Sequence, residues 1–336
     1  MSTATDQGVG LRYRRKSWLT RLRNHPAGPV AVVFSFLLAG CILAGLIFPQ
    51  EFFFLSPGNI TLVLRAIPNL GLIALGVGLL MIAGEFDLSV GSVYVVAPFA
   101  MIYSYDAGVP WLLAMVIAFA IAILVGIING VITLRFAVPS FITTLGMMFI
   151  VRTAAPFIVG YKRSLVFKAP PGWKEVMTGS TIGVPNQFWF FLVFALCAYL
   201  LLARHKLGNH FLAVGGDARA ARFAGINVVR TKMLAFVICS IFATIAGIFQ
   251  VIRTGNAQTN PQLFIELFAV AICVMGGVSL FGGRGTVIGI LLGAAVLQLV
   301  QDAIILARLP GFYLDMFVGL MIVVGVVLNQ AVKKRY

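Results

Sequence analysis

Long apolar runs, separated by short polar or Gly/Pro-rich stretches, repeat along the chain from residue 30 to residue 330. A bilayer core about 30 Å thick needs roughly 20 apolar helical residues, with a range of about 17–25. The runs therefore predict an all-α polytopic membrane protein with about ten transmembrane helices. The predicted spans are 30–48, 62–83, 91–105, 110–134, 137–158, 186–203, 233–252, 264–281, 286–307 and 312–330. The third is short, and Pro98 within it and Pro139 and Pro156 within the fifth predict kinks.

Charge agrees with a membrane protein better than with a nucleic-acid-binding one. The chain is 60% hydrophobic and only 10% charged, which excludes a soluble globular domain. Its net charge of +15 comes from Lys and Arg in short segments between apolar runs. With the N-terminus inside, 17 of the 25 Lys and Arg lie in inner segments and six in outer ones, so both termini are predicted to be cytoplasmic. The predicted domains are then a basic cytoplasmic segment (1–29), a membrane domain (30–330) that is surrounded by lipid, and a cytoplasmic tail (331–336).

Two connections are long enough to do more than join helices. The outer loop 160–185 is either a touch-down surface for a soluble partner or a structureless loop. Within the inner segment 204–232, Asp217 can cap a short helix over 218–224 and Gly225 can end it.

The short inner helix has the composition of a docking element. Ala218, Ala221 and Phe223 are expected near the core, and Arg219 and Arg222 are expected to be exposed. Such a helix could dock in a partner's groove. A solvated loop whose arginines only set topology is the alternative.

Two carboxylates lie between apolar runs at residues 81–96. An ionisable side chain inside a span costs roughly 2.5–3.5 kcal/mol on insertion scales, so Glu85 and Asp87 are expected to face a bundle interior or a polar path. Gly84 and Gly91 weaken a helix here, which predicts a break between two membrane helices. The alternative is a water-facing turn after a helix.

No residue pattern indicates an enzyme. The chain has no Gly-x-x-x-x-Gly-Lys-[Ser/Thr] loop for nucleotide phosphates, so any ATP hydrolysis must come from a separate subunit. His25, His205 and His210 have no paired carboxylates or cysteines around them. We therefore predict no catalytic residue, no metal site and no cofactor. The four cysteines are interpreted as small apolar packing residues: Cys41, Cys197, Cys239 and Cys273.

Four ordered motifs resemble one family. The stretch Gly84-Glu85-Phe86-Asp87-Leu88-Ser89-Val90-Gly91-Ser92 is similar to the Gly-Gly-Ile-Asp-Leu-Ser-Val-Gly-Ser signature of ribose-type permeases of bacterial ABC importers. The other three motifs are Val138-Pro139-Ser140-Phe141 through Thr144-Leu145-Gly146, Val214 to Asn227, and Met275 to Thr286. Together they cover about 60 to 330. The chain departs from the pattern at Glu85 and Thr153, where glycine is usual, and at Asp217, where asparagine is usual.

The resemblance implies a permease subunit in the bacterial inner membrane, working as a homodimer or as a heterodimer with a similar permease. It implies a cytoplasmic ABC ATPase, a periplasmic or extracellular binding protein, and a monosaccharide or related polyol as solute, with no nucleic acid. The implied substrate-path residues are Glu85, Asp87, Ser89, Ser92, Asn129 and Phe141. The implied ATPase-coupling residues are Gly215, Gly216, Asp217, Arg219, Ala221, Arg222 and Gly225, and the implied inner turn is Gly282, Gly283, Arg284 and Gly285.

Other functions stay open from the residues. One is an ion-coupled secondary transporter with Glu85, Asp87, Glu266 and Asp302 as coupling acids. Another is an ABC permease for a nucleoside, a signalling furanose or another non-sugar solute. The last is a membrane scaffold that transports nothing.

Overall fold

Thirteen helices and four short strands make up residues 27–158, 164–259 and 264–333, the part of the chain that the computed structural model describes. In chain order the helices are α1 (Gly28–Ile47), α2 (Pro57–Ile82), α3 (Val90–Asp106), α4 (Trp111–Arg135), α5 (Ser140–Ile158), α6 (Trp173–Thr178), α7 (Asn186–Ala203), α8 (Lys206–Gly216), α9 (Ala218–Phe223), α10 (Val228–Thr254), α11 (Ile265–Met275), α12 (Val287–Leu306) and α13 (Phe312–Lys333). The strands are β1 (Ser164–Val166), β2 (Ser180–Thr181), β3 (Val184–Pro185) and β4 (Asn256–Gln258). The fold is mostly helical, although the strands depart from the all-α prediction. Nearly all of the predicted basic N-terminal segment, and the end of the tail, lie outside the described residues.

Seven of these helices are long and apolar enough to cross a membrane: α1, α2, α4, α5, α7, α10 and α12. Shorter apolar helices are α11 and the first part of α13, and α3 has 17 residues. Each predicted span thus contains a helix, and the chain is a multi-pass membrane protein. α8 was not predicted, because its residues are mixed in polarity and lie in what reads as a connection.

α10 is the central helix of the bundle and packs against α2, α3 and α4. Small buried residues recur every four positions along α4, and Gly126 and Gly130 among them lie directly against α10. The whole set is Ala114, Ala118, Ala122, Gly126 and Gly130. Small residues let two backbones approach closely, and this is a main source of helix association in membranes.

Two helices, α2 and α11, end at breaks that contain a glycine in the left-handed conformation. α2 ends at Ile82 and α3 begins at Val90, so the predicted break between two helices is confirmed. The predicted span 264–281 is wrong at its end, because α11 stops at Met275. Gly277 adopts φ +78°, a left-handed conformation that ends the helix. Pro139 makes no kink either, since it precedes the first residue of α5.

The described part of the outer loop is structured, so the structureless alternative is wrong there. β1 pairs antiparallel with β4, and β2 pairs with β3. Phe167 is buried beside Trp111, with the ring centroids 5.6 Å apart, and Trp111 lies 5.8 Å from Trp173. These aromatic contacts attach the loop to the start of α4.

Candidate functional site

The break at residues 83–89 is stabilised by hydroxyl groups from α5. Ser140 Oγ accepts a hydrogen bond from the Phe86 N–H at 3.1 Å, and Thr144 Oγ1 accepts one from the Leu88 N–H at 3.0 Å. Irregular backbone inside a membrane protein needs such partners, since lipid supplies none. The motif at 138–146 therefore stabilises the backbone of the motif at 84–92.

Asp87 lies at the centre of the break and is buried, with 1% of its surface exposed. Its Oδ1 accepts hydrogen bonds from the Ser89 N–H at 2.8 Å and the Ser89 hydroxyl at 2.6 Å. Asn129 Nδ2, from α4, donates to Asp87 Oδ2 at 3.3 Å and to Ser89 Oγ at 2.8 Å. Asp87, Ser89 and Asn129 thus form one buried network that holds the turn.

The other predicted path residues lie around this network. Ser92 is fully buried and donates to the Met148 carbonyl at 2.8 Å. Glu85 is paired with Lys232 of α10, whose Nζ lies 2.5 Å from Oε1. Phe141 is exposed on the surface of α5 and lies outside the network.

A junction of glycines joins the break to α8 and to the segment after α11. The Gly283 N–H donates to the Ile82 carbonyl at 2.9 Å. A Cβ on Gly215 would overlap the Ile82 carbonyl oxygen, and a Cβ on Gly282 would lie 2.8 Å from Gly84 Cα. Only residues without a side chain fit here. We call Gly84, Gly215, Gly282 and Gly283 the glycine junction.

The predicted short helix of the inner segment is present as α9. Asp217 Oδ1 accepts from the N–H groups of Ala220, at 3.0 Å, and Arg219, at 2.8 Å, and so caps the helix. These bonds lower the pKa of the Asp217 carboxyl, because they favour its charged form. Gly225, with φ +82°, ends the helix, and the Ile226 N–H donates to the Ala221 carbonyl at 3.0 Å.

One expectation about this helix is wrong. Ala221 packs inward with Val214 and Val228, but Phe223 is 91% exposed and points away from the core. Residues two apart on a helix lie about 200° apart around its axis, since 3.6 residues make one turn. Ala221 and Phe223 therefore cannot share a face. Arg219 and Arg222 are exposed, as predicted.

The predicted inner turn lies next to α8. Gly282 and Gly283 have φ +82° and +73°. The Ser279 N–H donates to the Arg284 carbonyl at 2.9 Å, which closes the turn, and the side chain of Arg284 is exposed. With this turn, all four motifs meet around the break at 83–89.

Sequence reasoning missed two ion pairs among the described residues, Glu85–Lys232 and a second, partly buried pair. Arg152 Nη2 of α5 lies 3.3 Å from Glu266 Oε1 of α11. Arg152 lies inside the predicted span 137–158, and Glu266 lies inside the predicted span 264–281. Nothing in the sequence indicated that they pair, because 114 positions separate them.

Comparisons with known proteins agree with the motifs. Residues 59–326 match the family described as the branched-chain amino acid transport system permease component. The chain is 28% identical to the ribose import permease protein RbsC of Escherichia coli strain K12, over 96% of this chain and 97% of that protein. It is 32% identical to the autoinducer 2 import system permease protein LsrC of Enterobacter sp. strain 638, over 89% of this chain and 87% of that protein. A probable ABC transporter permease protein of Sinorhizobium fredii, y4mJ, is 33% identical over 84% of each chain. No solved structure matches.

Proposed function

The chain belongs to the family of branched-chain amino acid transport system permease components, and from this premise we propose that it is the membrane subunit of an ABC importer for a monosaccharide or related polyol. It moves the solute without changing it covalently. A separate ATPase hydrolyses the ATP, since the chain has no nucleotide-binding loop.

The observation that carries this proposal is the glycine junction. Through it, α8 touches the break between α2 and α3 by backbone contact, with no flexible side chain between them. α9 follows α8 directly in the chain. A displacement of α9 would therefore move α8 and, through Gly215, also Ile82 and the break. This is a rigid-body gate of the kind that nucleotide-driven closure of an ATPase can drive.

Two observations favour a neutral polyhydroxylated solute. Two of the similar permeases are named for ribose and for autoinducer 2, although the family description names amino acids. Carboxylate, hydroxyl and amide groups cluster at the break, and such groups exchange hydrogen bonds with hydroxyls. We assign Asp87, Ser89, Ser92 and Asn129 to holding the wall of the path, and Glu85 to tuning its inner end.

The remaining architecture follows from the same proposal. The permease has ten spans, has both termini in the cytoplasm and works in the bacterial inner membrane as a homodimer. The ATPase docks on α9 and beside the turn at Gly282, Gly283 and Gly285. A soluble binding protein delivers solute at the opposite end, where β1 and β4 pair.

Reconstitution tests the proposal. The neighbouring reading frames are first searched for an ABC ATPase and a secreted binding protein. The permease is co-expressed with these two proteins, and the complex is placed in vesicles. A thermal-shift screen of the binding protein against pentoses, hexoses, polyols and nucleosides first identifies the solute. We expect uptake only with ATP and the binding protein. Uptake by the permease alone, driven by an ion gradient, would instead establish a secondary transporter.

A further inference from the structure

The N-terminal ends of two short helices meet beside a buried carboxylate. A Cβ on Gly91, in the first turn of α3, would overlap Glu266 Oε2, in the first turn of α11, and would lie 2.9 Å from Ile265 Cγ2. The absence of a side chain at Gly91 leaves the space that Glu266 occupies. Each helix N-terminus carries roughly half a positive charge, so both ends stabilise a negative group placed between them.

One oxygen of this carboxylate has no partner. Glu266 is 3% exposed, and its Oε1 accepts from Arg152 at 3.3 Å. Its Oε2 is buried, and no described residue donates a hydrogen bond to it. A buried acceptor without a donor is unfavourable, so this oxygen needs a hydrogen-bond donor from water or from a ligand.

Arg152 lies between the buried Glu266 carboxylate and the protein surface. Its side chain is 30% exposed, and it lies on the face of α5 that also exposes Phe149 and Thr153. A guanidinium facing lipid in the middle of a span is unfavourable, and such residues usually face the bundle interior or a water-filled cavity. This face of α5 is therefore a candidate wall of an aqueous path.

We propose that Arg152 and Glu266 form a solute-binding site inside the spans, reached along the α5 face and specific for a neutral polyhydroxylated solute. One solute hydroxyl donates to Glu266 Oε2, and a neighbouring hydroxyl accepts from the Arg152 guanidinium. An anion is disfavoured by Glu266, and a cation is disfavoured by Arg152 and the two helix N-termini. The inference rests on the proposed function and specifies where its solute binds.

The first test separates transport from ATP hydrolysis in the reconstituted complex. Glu266→Gln keeps the size of the side chain but removes its charge. We expect uptake to fall at least tenfold while ATP hydrolysis stimulated by the binding protein stays within twofold of wild type. The matched control is Asp302→Asn, a buried carboxylate of α12 that accepts from Asn59 Nδ2 at 2.9 Å, and its uptake should be unchanged.

The second test does not depend on how Glu266→Gln folds. In a variant whose four natural cysteines are replaced by alanine, Thr153→Cys should react with a charged methanethiosulfonate reagent, and solute-loaded binding protein should slow the reaction. Val193→Cys, on an exposed apolar face of α7, should stay unreactive as a lipid-facing control.

The outcomes distinguish this site from the proposed function. The proposed site alone would be overturned if Glu266→Gln left ATP-dependent uptake intact. It would also be overturned if Thr153→Cys were as unreactive as Val193→Cys. Wild-type uptake that needs no ATPase would overturn the proposed function, whatever the labelling shows.

Discussion

Lys232 Nζ lies 2.5 Å from Glu85 Oε1, and the two side chains are similarly buried, with 14% and 12% of their surface exposed. Position 85 is one of the positions at which the chain departs from the family pattern, which has glycine there. The charge at this position is thus balanced by a cation from α10. Because a lone charge is costly in such a site, the two residues are expected to depend on each other.

A double-mutant cycle should show this dependence. Lys232→Ala should destabilise the permease, since it leaves the Glu85 carboxylate unpaired, whereas Lys232→Ala combined with Glu85→Gly should be closer to wild type. We expect a coupling free energy of about 0.5–3 kcal/mol, typical of residues in contact. Chemical unfolding in detergent measures this coupling free energy. Arg230→Ala, a substitution at an exposed position, is the control. Strictly additive effects would contradict the pairing.

Asp87→Asn should impair uptake while the protein still inserts. If the new amide oxygen keeps the bonds from Ser89, its NH₂ group must face Asn129 Nδ2, so two donors oppose each other. Losing a buried hydrogen bond to a charged group costs about 1.5–3 kcal/mol. The swap Asp87→Asn with Asn129→Asp restores a donor–acceptor pair and should recover part of the uptake. Wild-type transport by Asp87→Asn would remove Asp87 from the mechanism.

The glycine junction provides a matched pair of variants. Gly215→Ala places a methyl group against the Ile82 carbonyl, and overpacking of this kind typically costs about 1–3 kcal/mol. Gly216→Ala meets only Gly283 Cα at 4.0 Å and should be tolerated. Thermal stability and ATP-driven uptake should both fall for the first variant and not for the second. Equal behaviour of the two would mean that the junction does not transmit motion.

Phe223 should anchor the ATPase. An exposed aromatic side chain on a docking helix is a typical binding hot spot, where truncation costs more than about 1 kcal/mol. We expect Phe223→Ala to lower the affinity for the ATPase at least about fivefold, which corresponds to about 1 kcal/mol. Co-purification with the ATPase should weaken accordingly, while thermal stability should not fall.

Two comparisons sharpen the Phe223 test. Val229→Ala, at a position 51% exposed, should leave the affinity unchanged. Ala221→Trp should lower stability, because Ala221 packs against Val214 and Val228 of its own chain. Unaltered binding by Phe223→Ala would place the ATPase elsewhere, with the turn at Gly282 and Gly283 as the next candidate.

Accessibility of single cysteines tests the topology. In the variant without natural cysteines, Val166→Cys should react with an impermeant reagent added outside intact cells, because residue 166 is 72% exposed on β1. Phe223→Cys should react only after the membrane is opened. The reverse pattern would invert the orientation predicted from Lys and Arg.

The sequence alone determined the features that depend on neighbours along the chain. Apolar length placed a helix within each predicted span, Asp217 and Gly225 set the two ends of α9, and Gly84 marked the break before α3. Each is a local property, because a helix cap, a left-handed residue or a run of apolar side chains involves only residues a few positions apart.

Only the tertiary structure decided which distant groups meet and which way a face points. Glu85 and Lys232 are 147 positions apart and Arg152 and Glu266 are 114 apart, so no spacing rule connects them. The outward direction of Phe223 likewise follows from packing, because Ala221 faces Val228 on the next helix and Phe223 then faces away. The physical reason is that periodicity places residues on the same face of one helix, but the packing of helices against each other determines what each face contacts.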